Sequence, residues 1–235
     1  RTRSIIGTQS LVNAGIPNPV AALRNGTIGW TLAGQTLEHG QQRRFGEVDE
    51  HTRAAAAQSA RAVADKAGAQ RTTLATLGNW QAEQGRTTYV FDVRTPEEYA
   101  AGHLPAARST PGGQLVQETD HFASVRGARL VLVDDDGVRA NMSASWLAQM
   151  GWDVSVLDDA QSSDFTATGA WQAPLPPLPE APTVSPATLA LWQSEGDTQV
   201  FDFTTSANHV QRHIAGARWA LRAQLPQALE RVPVA

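Results

Sequence analysis

The fold of this chain is decided by residues 90–107, which read VFDVRTPEEYAAGHLPAA. The stretch is entered through Tyr89–Val93, a short apolar run that predicts a strand. Thr95 then offers a hydroxyl group to cap a helix, and Pro96 has the fixed φ angle that suits a first helical turn. The stretch therefore predicts a strand and a helix joined by a tight turn.

The alternation of strands and helices continues downstream. Residues 130–133 (LVLV) form a continuous apolar run, which is typical of a parallel strand buried on both faces. Residues 143–150 predict a helix, and residues 154–157 (VSVL) predict another strand. Apolar strands that alternate with helices predict an α/β module with three layers and a parallel sheet.

Part of this module occurs twice in the chain. The run VFDV at residues 90–93 recurs as VFDF at residues 200–203, a shift of 110 residues. At the same shift His103 falls on His213, and Ala107-Arg108 falls on Ala217-Arg218. A constant offset without gaps over about 26 residues indicates a duplicated module.

A second, weaker similarity relates residues 3–15 (RSIIGTQSLVNAG) to residues 139–151 (RANMSASWLAQMG). Each stretch predicts a helix that ends at a glycine, followed by a strand, at residues 19–23 and 154–157 respectively. We therefore predict one complete copy of the module flanked by partial copies. The predicted segments are the back half of a module (1–38), a helical linker (39–71), the complete module (72–173), a proline-rich linker (174–183) and the front half of a further module (184–235).

The two linkers differ in composition. Residues 48–68 of the first are rich in alanine and predict a solvent-facing helix. The prolines of the second lack backbone donors, so this linker is expected to be an extended spacer. Packing between modules is the expected interdomain contact.

Residues 90–107 resemble the signature of the rhodanese family, which joins an apolar strand, Asp-Val-Arg, a helix with Glu-Tyr and a Gly-His-x-Pro turn. Residues 130–139 resemble the family's catalytic segment, in which a strand is followed by a cysteine, a loop and an arginine. The resemblance implies a rhodanese-like fold. It also implies that the cysteine carries sulfur as a persulfide, where loop N–H groups and a helix N-terminus stabilise the negative charge.

The catalytic cysteine of that segment is replaced here. By position it falls on Asp134, and the chain contains no cysteine at all. We therefore predict no catalytic residue in the complete module. Asp134 is expected to fill the anion pocket itself, with Arg139 as a charged partner and with Asp135 and Asp136 pointing to solvent. The candidates for an anion-binding loop are Asp134, Gly137, Val138 and Arg139.

The first four residues, Arg1-Thr2-Arg3-Ser4, resemble the end of the substrate loop of thiosulfate-type sulfurtransferases, Cys-x-Gly-Arg-Thr-Arg-Ser. The resemblance implies a catalytic cysteine three residues before Arg1 in a longer protein. That protein would move sulfane sulfur from thiosulfate or another donor to a thiol or cyanide. The complete module would then have a structural, docking or anion-binding role. A different residue at that position would favour an interaction scaffold without sulfurtransferase activity.

Two further sites are weaker alternatives. Asp134-Asp135-Asp136-Gly137 after a strand also fits an Asp-based, Mg²⁺-dependent phosphotransferase, with Asp158-Asp159 as a second acidic motif. Only about 20 residues separate the two motifs, which is too few for that fold. His209 and His213 are four residues apart and could bind a metal on one helix face. A structural role is favoured, because His213 is the repeat partner of His103.

Composition limits the remaining function classes. A net charge of −4 with 18% charged residues indicates no nucleic-acid-binding surface, apart from the short patch Gln41–Arg44. No apolar run approaches the roughly 20 residues of a membrane span, and no signal sequence is recognised. The sequence predicts no cofactor and no metal site. A cytoplasmic location is the default expectation.

Overall fold

The structure is a computed structural model that describes residues 2–40, 46–174, 180–196, 198–230 and 232. The chain divides into two compact units, residues 1–173 and residues 174–235. The Gln41–Arg44 patch, Arg1, and residues 175–179 of the predicted proline-rich linker lie outside the described residues. No helix of the described chain combines the length and apolar character needed to cross a membrane.

The first unit contains eight α-helices and five strands among its described residues. The helices are α1 (Thr2–Asn13), α2 (Gly26–Leu32), α3 (Glu50–Ala67), α4 (Leu74–Ala82), α5 (Pro96–Ala101), α6 (Gly112–Gln117), α7 (Thr119–Phe122) and α8 (Arg139–Gln149). The strands are β1 (Gln70–Thr72), β2 (Thr88–Asp92), β3 (Arg108–Ser109), β4 (Arg129–Val133) and β5 (Asp153–Leu157). A 3₁₀ turn follows at Ser162–Asp164.

The five strands form one parallel sheet with the order β1-β5-β4-β2-β3. Successive side chains of a strand point to opposite faces, so the sheet has two cores. Phe91, Leu130 and Leu132 pack on the face covered by α8 and α6. Val90, Val131 and Val133 pack on the other face, against Leu77 of α4. This arrangement confirms the predicted α/β fold with a parallel sheet and three layers.

The apolar strands predicted at Tyr89–Val93, at residues 130–133 and at residues 154–157 are present, as β2, β4 and β5. Two strands have no apolar run and were not predicted: β1 and β3 are three and two residues long, and they lie at the edges of the sheet. The predicted strand at residues 19–23 is wrong, because the structure shows no strand there. The helix predicted at 143–150 begins earlier, at Arg139.

The alanine-rich stretch forms α3, and its C-cap, Gly68, has a left-handed backbone. Most of α3 is exposed, as predicted, but Ala60 and Ala64 are buried. The helix packs against α8, where a residue as small as alanine allows a close approach. The strand β1 begins at Gln70, within the segment that the sequence assigns to the linker.

The second unit contains α9 (Pro186–Glu195), β6 (Phe201–Asp202), α10 (Ser206–Gln211), β7 (Arg218–Trp219), a 3₁₀ turn (Arg222–Gln224) and α11 (Leu225–Leu229). Its strands β6 and β7 are parallel and pair Phe201 with Arg218. In the first unit β2 and β3 pair Phe91 with Arg108, the residues 110 positions earlier. Strand, helix and second strand therefore have the same local structure at the offset found in the sequence.

Candidate functional site

The candidate site lies at the carboxyl ends of β2 and β4. The chain leaves β2 toward β3 on one side and leaves β4 toward β5 on the other, so the connections diverge between these two neighbouring strands. Such a switch point leaves a crevice where open α/β sheets bind their ligands. The loop that follows β2 begins at Val93, and the loop that follows β4 begins at Asp134.

An ion pair braces the loop after β2. Asp92 is fully buried and Arg94 is 5% exposed. The Arg94 guanidinium donates to both Asp92 oxygens, Nε to Oδ1 at 3.0 Å and Nη2 to Oδ2 at 2.7 Å. Its Nη2 also donates to the carbonyl of Gly102 at 2.6 Å. These contacts hold the turn after β2 in place.

The loop after β4 wraps around the carboxylate of Asp134. The Gly137 N–H donates to Oδ1 at 3.2 Å, and the Ala140 N–H in the first turn of α8 donates to Oδ2 at 2.8 Å. Gly137 has a φ of +65°, a conformation that favours glycine and that turns the loop back on itself. The Asp134 side chain therefore occupies the cradle of N–H groups at the N-terminus of α8, as expected from the sequence.

Asp136 also enters this loop instead of pointing to solvent, so the expectation for this residue was wrong. Its Oδ1 accepts the N–H groups of Val138 at 2.8 Å and Arg139 at 3.2 Å. The backbone turns tightly here, and a side chain two residues before a free N–H is well placed to cap it. Two carboxylates thus share one small group of backbone donors.

The two carboxylates shift each other's ionisation in opposite directions. Burial and the adjacent carboxyl group of Asp136 raise the pKa of Asp134 to about 7, against the smaller opposing effect of its backbone donors. Burial opposes the ionisation of Asp136 too, but the neighbouring Asp134 carboxyl and the Val138 N–H lower the pKa of Asp136 below its usual range. The pair therefore binds one proton below about pH 7, mainly on Asp134, and releases it as the pH rises through neutrality.

Arg139 does not pair with Asp134, which corrects the expected contact. Its guanidinium meets three other carboxylates: Nη1 with Glu98 at 2.5 Å, Nη2 with Asp135 at 2.8 Å and Nε with Asp136 at 2.9 Å. Asp135, which is 41% exposed, also contacts Nη1 of Arg94 at 3.3 Å. Three carboxylates therefore surround the Arg139 guanidinium. Val138 donates its N–H group to Asp136, and its carbonyl accepts the N–H of Met142 at 2.9 Å.

The N-terminal candidates lie beside this loop and not within it. Thr2 begins α1, and Arg3 donates from Nε to Gln117 Oε1 at 3.2 Å and from Nη2 to Gln114. Ser4 is half-buried, and Arg1 is outside the described residues. The helix is fixed on the module by the Trp146 indole N–H, which donates to Ser10 Oγ at 2.9 Å. Arg3 and Arg139 border the same cleft.

Comparison with known families identifies the fold around this site. The family model described as "Rhodanese-like domain" matches residues 73–161. These residues are a rhodanese-like domain. The loop around Asp134 is therefore the loop in which the family resemblance places the catalytic cysteine.

Among solved structures, thiosulfate sulfurtransferase from Pseudomonas aeruginosa is 74% identical to this chain and covers 98% of it, with a TM-score of 0.91. The chain spans 44% of that protein's length. A Bacillus halodurans protein is 23% identical to this chain, covers 39% of it and is itself covered to 69%, with a TM-score of 0.31. A protein of unknown function from Rhodopseudomonas palustris is 16% identical, covers 49% of this chain and is itself covered to 89%, with a TM-score of 0.33. Similarity at these TM-scores says nothing about function. A search of curated proteins gave no match.

Sequence reasoning missed the partners that surround the loop of the rhodanese-like domain. Glu98, which contacts Arg139, lies 41 residues before it, and Gln114 and Gln117 on α6 hold Arg3. Of these partners, only Glu98 belongs to a pattern that is visible in the sequence. Thr95 and Glu98 form a capping box, and its spacing Thr-x-x-Glu predicts the start of α5. No local pattern marks the two glutamines.

The alternative sites have structural partners. Asp158 pairs with Arg61 at 2.7 Å, and Asp159 accepts the N–H of Leu74 at 2.8 Å. In the second unit His209 Nδ1 contacts Asp202 Oδ2 at 2.8 Å, and its ring stacks on that of His213 at 4.0 Å. His213 Nδ1 bonds to the carbonyl of His209, as His103 Nδ1 bonds to that of Tyr99. Within the described residues no three acidic or histidine side chains form a metal-binding group.

Proposed function

We propose that this chain is part of a multi-domain, rhodanese-type sulfurtransferase and that its rhodanese-like domain is non-catalytic. The longer protein would transfer sulfane sulfur from thiosulfate or a related donor to a thiol or cyanide. The observation that carries the proposal is the Asp134 carboxylate, which takes the loop N–H groups of Gly137 and Ala140 at the cysteine position. The domain then serves as structural support for its neighbours.

The chemistry of the loop explains why sulfur transfer is not expected in this domain. A persulfide requires a thiolate that attacks the outer sulfur of thiosulfate, so that the sulfur–sulfur bond of the donor breaks and sulfite leaves. Asp134 has no sulfur, and its pKa of about 7 leaves it partly protonated at neutral pH, which makes it a weak nucleophile. The donor anion would also meet the carboxylates of Asp135 and Asp136 beside the loop.

The multi-domain part of the proposal is supported by similarity at two scales. The 74% identical thiosulfate sulfurtransferase extends well beyond the part that this chain spans. The second unit repeats the pairing of β2 and β3 at an offset of 110 residues, including the backbone bond from Ala220 to Asp202 that corresponds to the bond from Thr110 to Asp92. This supports the assignment of residues 184–235 to the front half of a further module.

The first experiment is a thiosulfate:cyanide assay on the chain, purified free of host sulfurtransferases. No turnover above background is expected. The same assay on the longer protein should show turnover; its absence there would favour an interaction scaffold. Turnover by the chain itself would contradict the non-catalytic role of the domain.

A second experiment tests whether the loop retains its anion-stabilising geometry. In Asp134→Cys combined with Asp136→Asn, which removes the carboxyl group that raises the pKa at this position, the N–H groups of Gly137 and Ala140 should stabilise a thiolate, so the thiol pKa should fall below its usual value of about 8.5. Val125→Cys is the control, because Val125 is an exposed residue of the segment between α7 and β4. The rate of alkylation by iodoacetamide against pH gives both values. Equal pKa values for the two thiols would contradict the proposed geometry.

A further inference from the structure

The turn after β6 corresponds to the turn after β2, and the same backbone contact holds both turns. At the offset of 110 residues Asp202 falls on Asp92, and Thr204 falls on Arg94. The Thr204 N–H donates to Asp202 Oδ1 at 2.9 Å, as the Arg94 N–H donates to Asp92 Oδ1 at 3.1 Å. The two units therefore build this turn around an equivalent aspartate.

The cation that faces this aspartate differs between the two units. In the first unit it is the guanidinium of Arg94, which keeps its charge at every physiological pH. Thr204 has no charge, and the Asp202 carboxylate meets an imidazole instead, since His209 Nδ1 lies 2.8 Å from its Oδ2. His209 falls on Tyr99, whose hydroxyl group donates to a backbone carbonyl. A residue from another position thus takes the place of the arginine.

The contact between His209 and Asp202 depends on pH. A carboxylate only accepts hydrogen bonds, so Nδ1 of His209 carries a proton, and a second proton on Nε2 makes the ring a cation. Histidine side chains change charge between about pH 5 and 8. The contact is therefore an ion pair at the lower end of this range and a hydrogen bond from a neutral ring at the upper end. Both side chains are mostly buried, 16% and 22% exposed, so salt and water screen the pair only in part.

The neighbouring ionisable groups do not take over the contact with Asp202. The ring of His213 stacks on that of His209 with 4.0 Å between the centroids, and its Nδ1 bonds to the uncharged carbonyl of His209. On β7, Arg218 donates to Gln199 and not to this pair. Hydrogen bonds from His209 and from the N–H group of the turn lower the pKa of Asp202, so this carboxylate stays ionised while the imidazole gains or loses its proton.

The turn that Asp202 holds is also the partner of Trp219. The Trp219 indole N–H donates to the carbonyl of Thr204 at 2.8 Å, and the side chain of Thr205 caps α10. The N–H group of the same Thr204 is bound by Asp202. A change at the Asp202 carboxylate therefore reaches the Trp219 indole through a single residue.

We propose that the turn after β6 is a pH-sensitive brace, which is held most firmly while His209 is protonated and which loosens and releases the Trp219 indole as the pH rises above neutrality. The turn after β2 keeps its ion pair over the same range, because its cation is an arginine. The inference goes beyond the proposed function. It depends only on contacts within the second unit and not on sulfur transfer.

The test follows the Trp219 indole N–H by NMR, identified as the signal lost in Trp219→Phe. Its rate of exchange with water, divided into the rate of free tryptophan at the same pH, gives a protection factor. From pH 6 to pH 8.5 this factor should fall at least about fivefold, because a charge-assisted hydrogen bond to Asp202 becomes a neutral one. A smaller fall would overturn the proposal.

Variants assign the effect to His209. The double variant Thr204→Arg/His209→Tyr gives the second unit the residues of the first, so the indole should stay protected at both pH values. His209→Gln keeps a neutral donor and should lower the protection at pH 6 to the level that the unmodified chain has at pH 8.5. His213→Phe keeps a ring beside His209 that cannot be protonated, and it should leave the fall unchanged.

Circular dichroism identifies a variant that fails to fold, and of the two variants at His209 the folded one then decides. A fall that persists in the double variant or in His209→Gln would refute the inference. The same holds if the fall disappears in a folded His213→Phe, since the titrating group would then be His213.

Discussion

Replacing Asp134 by alanine tests whether its carboxyl group satisfies the loop at the N-terminus of α8. The change removes the acceptors of the Gly137 and Ala140 N–H groups, at 3.2 and 2.8 Å. A buried donor left unpaired costs about 1–3 kcal/mol. Asp134 is only partly buried, so water can reach the loop, and the first bond is long. We therefore expect a loss near the lower end of that range for the two donors together, about 2 kcal/mol.

The pH dependence of this loss follows from the raised pKa of Asp134, which is about 7 in the folded chain against 3.8 for a free side chain. The folded state binds this proton more tightly than the unfolded state. The stability that Asp134 contributes is therefore fully present below pH 4 and is lost as the pH rises through about 7. Asp134→Ala should accordingly cost more at pH 5 than at pH 8.

The measurement is urea denaturation of the chain at both pH values, followed by tryptophan fluorescence. Asp135→Ala is the control, since it removes a loop carboxylate that is 41% exposed and whose ion pairs are open to solvent, and it should cost less than about 1 kcal/mol. Added sulfate should partly restore Asp134→Ala by binding the vacated N–H groups, whereas sodium chloride of equal ionic strength should not. The reasoning is refuted if Asp134→Ala is no less stable than the control, or if its cost grows from pH 5 to pH 8.

In Asp136→Asn the carboxyl titration of Asp134, observed by NMR, should move below pH 7, because a neighbouring negative charge has been removed.

Two further substitutions test the frame of the site. Arg94→Lys should cost about 3 kcal/mol in urea denaturation, because lysine cannot make the two-pronged contact with the fully buried Asp92; a cost within about 0.5 kcal/mol of zero would show that the pair is not a brace. Gly112→Ala should lower the thermal midpoint, because its Cβ would lie 2.2 Å from Ser143 Oγ, whereas Gly113→Ala should not. Adding Ser143→Ala to Gly112→Ala should recover most of the loss, and no recovery would mean that another contact is responsible.

The sequence by itself determined the central strands and the place of the missing cysteine. Residues 130–133 are apolar throughout and residues 154–157 are apolar except for Ser155, and a strand buried on both faces needs a largely apolar run wherever it lies in a sheet. Thr95, Pro96 and Glu98 define a helix start through bonds within four residues. The sequence also places Asp134 at the cysteine position of the family, because this residue comes directly after the apolar run of β4. Each of these features depends on neighbours in sequence.

The tertiary structure alone decided the contacts between segments that are distant in sequence. The edge strands β1 and β3 are short and polar, so only their pairing with β5 and β2 makes them strands. The partners of Arg139 include Glu98, which the sheet brings to it across 41 residues. Likewise, Asp136 turns inward because the N-terminus of α8 presents unpaired N–H groups there. Ion pairs form between groups that lie a few ångströms apart in space, and this distance cannot be deduced from the number of residues between them in the sequence.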